Sequence, residues 1–184
     1  MQVVRSKGAP SEATPIESVK CGDSILAANE DGTITAQPVI FVTDHEPTMT
    51  DFVEITLRSG KRVTPTHNHM MVVRAGGSYK LKLAALIEAG DAFCSRTAED
   101  EVVEDPVASV RRYSAVCLAV NILIPDGYML VNDVVGSHRT DGDFSETLKR
   151  AGELIYCLLG TAAVIQFCRF GNWFCHTWLD RLLP

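Results

Sequence analysis

The 184 residues contain no C-x-x-C pair, and the six cysteines (Cys21, Cys94, Cys117, Cys157, Cys168 and Cys175) are scattered along the chain. That excludes a zinc ribbon. Three of the six fall in an apolar C-terminal stretch, where cysteine acts as a small hydrophobe, so their even number does not define a disulfide framework. Basic charge is in deficit: 17 Lys and Arg stand against 23 Asp and Glu, a net charge of -6. A domain-wide nucleic-acid footprint is excluded, and nucleic acid is not an expected partner. The opening residues, Met1-Gln2-Val3-Val4-Arg5-Ser6-Lys7, lack the apolar run of a signal peptide. The expectation is a protein not secreted by itself, or a piece of a longer chain. A long internal repeat is also missing. There is one short echo, a Gly-Asp-x-apolar pattern shared by Cys21-Gly22-Asp23-Ser24-Ile25 and Ala89-Gly90-Asp91-Ala92-Phe93.

What is present is ordinary globular material, 46% apolar and 22% charged, which rules out wholesale disorder and a polytopic membrane protein. The length suits one domain, or one with a short appendage. Two compositional zones divide the chain. Residues 1–140 alternate short apolar runs with turns and predict an all-β domain. Ser24 to Ala28 stops at Asn29-Glu30-Asp31-Gly32, a hairpin signal. Val53, Ile55 and Leu57 alternate along a strand closed by Arg58-Ser59-Gly60-Lys61, and Met70 to Val73 ends at Ala75-Gly76-Gly77-Ser78. Leu81 to Ala89 reads as a helical turn or two, and Glu99-Asp100-Glu101 with Glu104-Asp105 as a solvated acidic loop. Val107 to Val120 and Tyr128 to Val131 add further strands.

Residues 141–184 read as an α-helical, apolar tail. Asp143 and Ser145 are N-cap residues with Glu146 in an acidic first turn. Leu154 to Cys168 is almost wholly apolar, and Trp173, Phe174 and Trp178 follow Arg169. As a helix that run spans roughly 22 Å, short of the ~20 residues that cross a bilayer. Two readings are open: a helix pair packed on the β domain, or a segment lying at a lipid interface.

The densest polar constellation is Thr64-Pro65-Thr66-His67-Asn68-His69, between two strand-like runs. Turns held by strands are where functional side chains are both exposed and rigid. Thr-x-x-His occurs twice here, as Thr64 with His67 and as Thr66 with His69. His67 and His69 would share a face in extended chain, as metal ligands can, but no acid or Cys follows at ligand spacing, so neither metal nor cofactor is expected. A second feature is the strand Val39 to Asp44, followed by His45, which sets a carboxylate at a strand end where a general base works. The third is Val131-Asn132-Asp133-Val134-Val135-Gly136-Ser137-His138, a strand ending in small and polar residues.

Their order carries more than any one of them. Gly22-Asp23-x-Ile25-Leu26-Ala27, a strand ending in Asp44, Thr66-His67-Asn68-His69-Met70-Met71-Val72-Val73, and a late strand pair from Gly127 to Ser137 follow one another. In that order they resemble the Hint fold of Hedgehog C-terminal domains and inteins over about residues 15–140. The second Thr-x-x-His register matches the family better, because apolar Met70 and Met71 follow His69 directly.

The resemblance implies a mainly β Hint domain, of the Hedgehog autoprocessing type, over 1–140. It also implies self-processing: a Cys attacks its own upstream carbonyl, and a sterol, water or another nucleophile resolves the thioester. The protein's own upstream domain would be the substrate, and a sterol or lipid a partner. A Hedgehog-like parent would put the protein in the secretory pathway or at a membrane. By resemblance His69 protonates the departing amide nitrogen, Thr66 holds the scissile amide, and Asp44 is general base for the incoming hydroxyl. His138, Thr64 and His67 are additional candidates, His138 standing where Hedgehog proteins have a Cys. The family opens with Gly-Cys-Phe, whereas this sequence opens with Met1, and Cys21 falls in the Gly-Asp block, away from the nucleophile position. The chain alone is therefore expected to be inactive, either incomplete at its N-terminus or decayed. The rival readings are a non-catalytic β domain whose apolar tail makes it a membrane-associated binding module, and a metal hydrolase built on His67, His69 and Asp44.

Overall fold

The computed structural model describes residues 2–4, 12–44, 47–118, 120–125 and 127–137, with the side chains of residues 2–4, 12, 43 and 44 left out. The helical tail expected over 141–184 lies outside the described residues, as does His138. Fourteen strands are present among the described residues. In the first half they are β1 (Gln2–Val4), β2 (Glu12–Ala13), β3 (Ser24–Ala28), β4 (Ile34–Pro38), β5 (Phe41–Asp44), β6 (Thr48–Leu57) and β7 (Arg62–Val63). The second half adds β8 (Met70–Ala75), β9 (Ser78–Leu83), β10 (Ala92–Arg96), β11 (Val102–Cys117), β12 (Val120–Leu123), β13 (Tyr128–Val131) and β14 (Val134–Gly136).

The main sheet runs β2-β1-β3-β13-β14-β10-β11-β6-β7, with β4 paired to β3; β5 with β12 and β8 with β9 form two separate ribbons. All pairings are antiparallel. The alternation at Val53, Ile55 and Leu57 does what it predicts, as these three side chains are buried in one core cluster with Phe93 and Val107. The turn between β13 and β14 places Asn132 and Asp133 both at positive φ, the pair of left-handed residues that a two-residue hairpin requires.

The short Gly-Asp echo proves to be the visible part of a structural repeat. Ile16 to Val39 and Ala84 to Val107 carry the same elements at one constant spacing: a 3-10 turn, a Gly-Asp corner, a strand, a tight turn and a returning strand. Ser24 opposes Pro38 in the first copy as Ala92 opposes Pro106 in the second. Each copy has its own core. Val19, Ile25 and Val39 lie in one cluster, and their counterparts Ile87, Phe93 and Val107 in another. Beyond the repeat the halves exchange strands: β5 pairs with β12, and β11 continues past a bulge to pair with β6 over its full length.

Two local expectations are corrected. Leu81 to Leu83 is strand rather than helix, because these residues pair with Val72 to Met70 in the β8–β9 hairpin; only Ala84–Leu86 forms a 3-10 turn. Glu104 and Asp105 belong to β11, and Asp105 is buried rather than solvated. Ser59 and Ser95 hydroxyls donate to its Oδ2 at 2.5 and 2.9 Å, and the Ser59 N–H donates to Oδ1 at 3.1 Å, so the carboxylate keeps partners without water.

Candidate functional site

Where the exchanged strands cross, a cavity of about 540 Å³ opens. Much of its wall is apolar, including Phe52, Val63, Met71, Ile122 and Met129. Its polar lining comes from Thr64, Thr66, Asn68, His69, Asn121 and Ser137. Most of this polar side is one loop between β7 and β8, and its backbone is held at several points. Val53 N–H donates to the Pro65 carbonyl at 3.0 Å and His67 N–H to the Asp51 carbonyl at 2.9 Å, so the loop lies along the edge of β6. His69 N–H donates to the Thr66 carbonyl at 3.0 Å and closes a tight turn. Ala84 and Ala85 N–H groups donate to the carbonyls of His69 and His67 at 2.8 and 3.0 Å. A loop anchored on both sides can hold its side chains in fixed directions, as a reactive site requires.

The Thr66 hydroxyl donates to Asn68 Oδ1 at 2.8 Å. The half-buried His69 ring places Nε2 at 2.9 Å from the backbone carbonyl of Ser137. A carbonyl oxygen only accepts, so Nε2 carries the proton in this bond. With the proton on Nε2, Nδ1 is the ring nitrogen that can exchange a proton with a reacting group, acting as an acid when the imidazole is charged.

Of the residues singled out in the sequence, Thr64, Thr66 and His69 line this one cavity. His67 is exposed and is not part of the lining, so the two histidines do not share a face on the cavity. Among the described residues no group of three or more His, Cys, Asp and Glu is placed to hold a metal ion. Asp44 ends β5, and its backbone opposes Val120, a cavity-lining residue; its side chain lies outside the described part. Cys21 is half-buried and away from the lining, whereas Cys117 is a thiol on the cavity wall. Burial pushes the Cys94 thiol above its ordinary value, which keeps it protonated and unreactive in the core. Burial likewise pushes its neighbour Tyr79 up to about 12.

Two roles on the cavity escape a reading of the sequence. Ser137 closes the late strand pair of the Hint resemblance, but its contact with His69, 68 residues away, has no signal there. Asn121 had no signal beyond being polar within the apolar run Val120 to Leu123.

A β domain with an internal repeat, exchanged strands, and a Thr-x-x-His loop on the cavity between them defines a recognisable class. Residues 5–140 match the family model of the Hint module, and the protein belongs to the Hint family. None of the curated proteins matches. Among solved structures, the chain is similar to an intein from a hyperthermophile, at 13% identity over 62% of this chain and 71% of that one, with a TM-score of 0.58. It is also similar to a mutant of an Ssp DnaB mini-intein variant, at 14% identity, 78% and 90% coverage, and a TM-score of 0.61. The transcription factor IIB Mvu mini-intein matches at 13% identity, 73% and 75% coverage, and a TM-score of 0.52. At such identities the likeness is one of fold. The mainly β Hint assignment made from the sequence stands at the level of the Hint family and fold.

Proposed function

We propose that this protein is a self-processing domain whose site is built to cleave the peptide bond of a Cys placed just ahead of β1, with Thr66, His69 and Asp44 as its catalytic residues. The observation that carries this reading is a matter of register. In β1, Val3 opposes Ile25 and Val4 opposes Ser24, while in β13, Met129 opposes Ala27 and Tyr128 opposes Ala28. Both strands therefore use the same edge of β3, end to end, and the head of β1 meets β13 at Met129 to Val131. Met129 and Val131 line the cavity that holds Thr66 and His69. An upstream segment joined to β1 enters the site at that point.

The chemistry proposed there is nucleophilic catalysis in two steps. A Cys ahead of β1 attacks the preceding carbonyl and gives its thiol proton to His69; the C–S bond forms, the C–N bond breaks, and His69 passes that proton to the departing nitrogen. A hydroxyl then attacks the thioester; the C–O bond forms, the C–S bond breaks, and Asp44 takes the hydroxyl proton and returns it to the leaving thiolate. Thr66 holds the amide through its hydroxyl. The upstream domain is the substrate. The apolar cavity wall and the apolar run Leu154 to Cys168 favour a sterol or lipid alcohol as acceptor, the Hedgehog-type variant of the reaction.

Residue 1 of the sequence is Met, which has no thiol to offer. The test therefore fuses a reporter through Gly-Cys-Phe and a connecting strand to Gln2 and adds dithiothreitol. Release of the reporter, lost in His69→Ala by ~10²–10⁴-fold in rate, is the expected result. A folded domain that releases nothing overturns the reading and leaves a binding module.

A further inference from the structure

We propose that Ser137 is a positioning residue for His69, acting through its hydroxyl as well as its carbonyl; this rests on the self-processing reading above. Ser137 is only 3% exposed and sits just past the end of β14. The β13–β14 ladder ends at Gly136 opposite Met129. From there two bonds carry the chain across to the start of β8. The Ser137 carbonyl accepts from His69 Nε2 at 2.9 Å, and the Ser137 hydroxyl donates to the carbonyl of Met70, the very next residue. One residue thus grips Met70, the first residue of β8, by its side chain and His69, just ahead of it, by its backbone.

The two bonds have different jobs. The carbonyl decides the tautomer: it keeps the proton on Nε2 and assigns the reacting proton to Nδ1. The hydroxyl decides where that carbonyl is. Without it the carbonyl loses its tie to the start of β8, and the ring's acceptor is less firmly fixed. Ser137 touches no reacting atom on this account. Its effect on the reaction passes entirely through the imidazole.

The first measurement uses the chain as it is, with ¹⁵N-labelled histidine. In the parent, the His69 signals should report the Nε2–H tautomer when neutral. Ser137→Ala should mix the tautomers and move the His69 titration, while Ser137→Thr, which keeps a hydroxyl, should resemble the parent. An unchanged His69 spectrum in folded Ser137→Ala overturns the proposal. Should that variant fail to fold, Ser137→Cys, of similar volume and with a weaker donor, takes its place under the same criterion. In the reporter fusion, Ser137→Ala should lower the limiting rate of thiol-induced release by ~10–100-fold, with the half-saturating thiol concentration unchanged. Ser137→Thr should restore most of the rate. A spectral change with an unaltered release rate also overturns it. If the parent fusion releases nothing, the self-processing reading fails, and the spectrum still decides whether Ser137 sets the tautomer.

Discussion

The two Gly-Asp units can be laid over one another residue by residue, and they differ in what surrounds their matching backbones. In both, the Gly N–H donates to the Val carbonyl at the end of the unit, Gly22 to Val39 and Gly90 to Val107, each at 2.8 Å. The Val N–H donates back to the Asp carbonyl, at 2.7 Å in the first unit and 2.9 Å in the second. Gly22 and Gly90 both sit at φ 94°, where a side chain would be strained. The Asp carboxylates cap the preceding turns alike, Asp23 accepting from Lys20 N–H at 3.0 Å and Asp91 from Glu88 N–H at 2.8 Å. Only Gly, Asp, Pro and Val are shared in sequence at these positions. The backbone bonding is thus preserved by a handful of residues, while the side chains around it have diverged.

The divergence is clearest where the second unit buries a polar network. The Gln37 side chain of the first unit donates to its neighbour Thr35, whereas its counterpart Asp105 is the centre of a buried network with Ser59 and Ser95. Lys61 joins it, its ammonium donating to Ser95 Oγ at 3.1 Å and to the Arg96 carbonyl at 2.8 Å. The second unit is also the one whose returning strand, β11, runs on to become a wall of the cavity. The structural load of the site therefore falls more heavily on the second unit than on the first.

The largest test of that asymmetry is in the cores. Phe93 and Ile25 occupy equivalent positions and are both fully buried. Phe93→Ala should destabilise by about 4 kcal/mol and Ile25→Ala by about 3, measured by urea unfolding. Equal stability of Phe93→Ala and the parent would mean the second core is not packed as described.

Next comes the Asp105 network. Burial by itself raises the Asp105 carboxyl, but hydrogen bonds from Ser59 and Ser95 and the Lys61 charge outweigh it and hold the group below its ordinary 3.8. The folded value is then below the unfolded one. Its contribution is complete above about pH 4 and is lost as pH falls through the lower folded value. Asp105→Asn should be about 1–3 kcal/mol less stable than the parent at neutral pH. The gap should narrow on acidification below about pH 4. Gln37→Ala, at the matching site, should cost under about 0.5 kcal/mol with no such pH dependence.

The corner aspartates give a smaller contrast. Asp91 also accepts from Lys82 Nζ at 2.8 Å on both oxygens, and Asp23 has no such ion pair among the described residues. Asp91→Ala should cost about 2 kcal/mol and Asp23→Ala about 1, since the extra ion pair is partly exposed. Chemical denaturation of the two variants side by side checks the ratio. High salt should shrink the difference.

How much of this was legible in the sequence follows from how local each feature is. The strand at Val53, Ile55 and Leu57 and the hairpin at Asn29 to Gly32 depend on near neighbours, and their patterns are sufficient. The Thr66 and His69 loop was legible as an ordered set of blocks rather than as chemistry, because no spacing within it is specific. The burial of Asp105 is not legible because five acidic residues close together look solvated; its partners are Ser59, in the turn after β6, and Ser95, on β10. The repeat was nearly invisible because backbone bonds carry it. Ser137 was hidden for the same reason as Asp105: its meaning lies in residues on a distant strand.

The smallest test exchanges the two tight turns. Gly32 sits at φ 85° and its counterpart Asp100 at φ 63°, so both units need a left-handed residue at this point. The bonding around them is equivalent, Asn29 N–H donating to the Thr33 carbonyl and Thr97 N–H to the Glu101 carbonyl, both at 2.8 Å. A Cβ at Gly32 would meet nothing within 4 Å, so the cost of a side chain there is conformational alone. Gly32→Ala should therefore cost about 1 kcal/mol. Gly32→Asp should cost less, because aspartate tolerates this conformation better than alanine. Asp100→Gly relieves the strain of a non-glycine residue but removes the 2.9 Å pair with Arg96. Asp100 is 72% exposed, and a surface pair of that kind contributes little, so the net change should stay within about 0.5 kcal/mol. Thermal unfolding of the three variants measures the order. A loss well beyond that in Asp100→Gly would show that the Arg96 pair, with its second arm on Asp133 at 2.7 Å, organises the β10–β14 junction, and the second unit would then depend on a surface charge that the first does without.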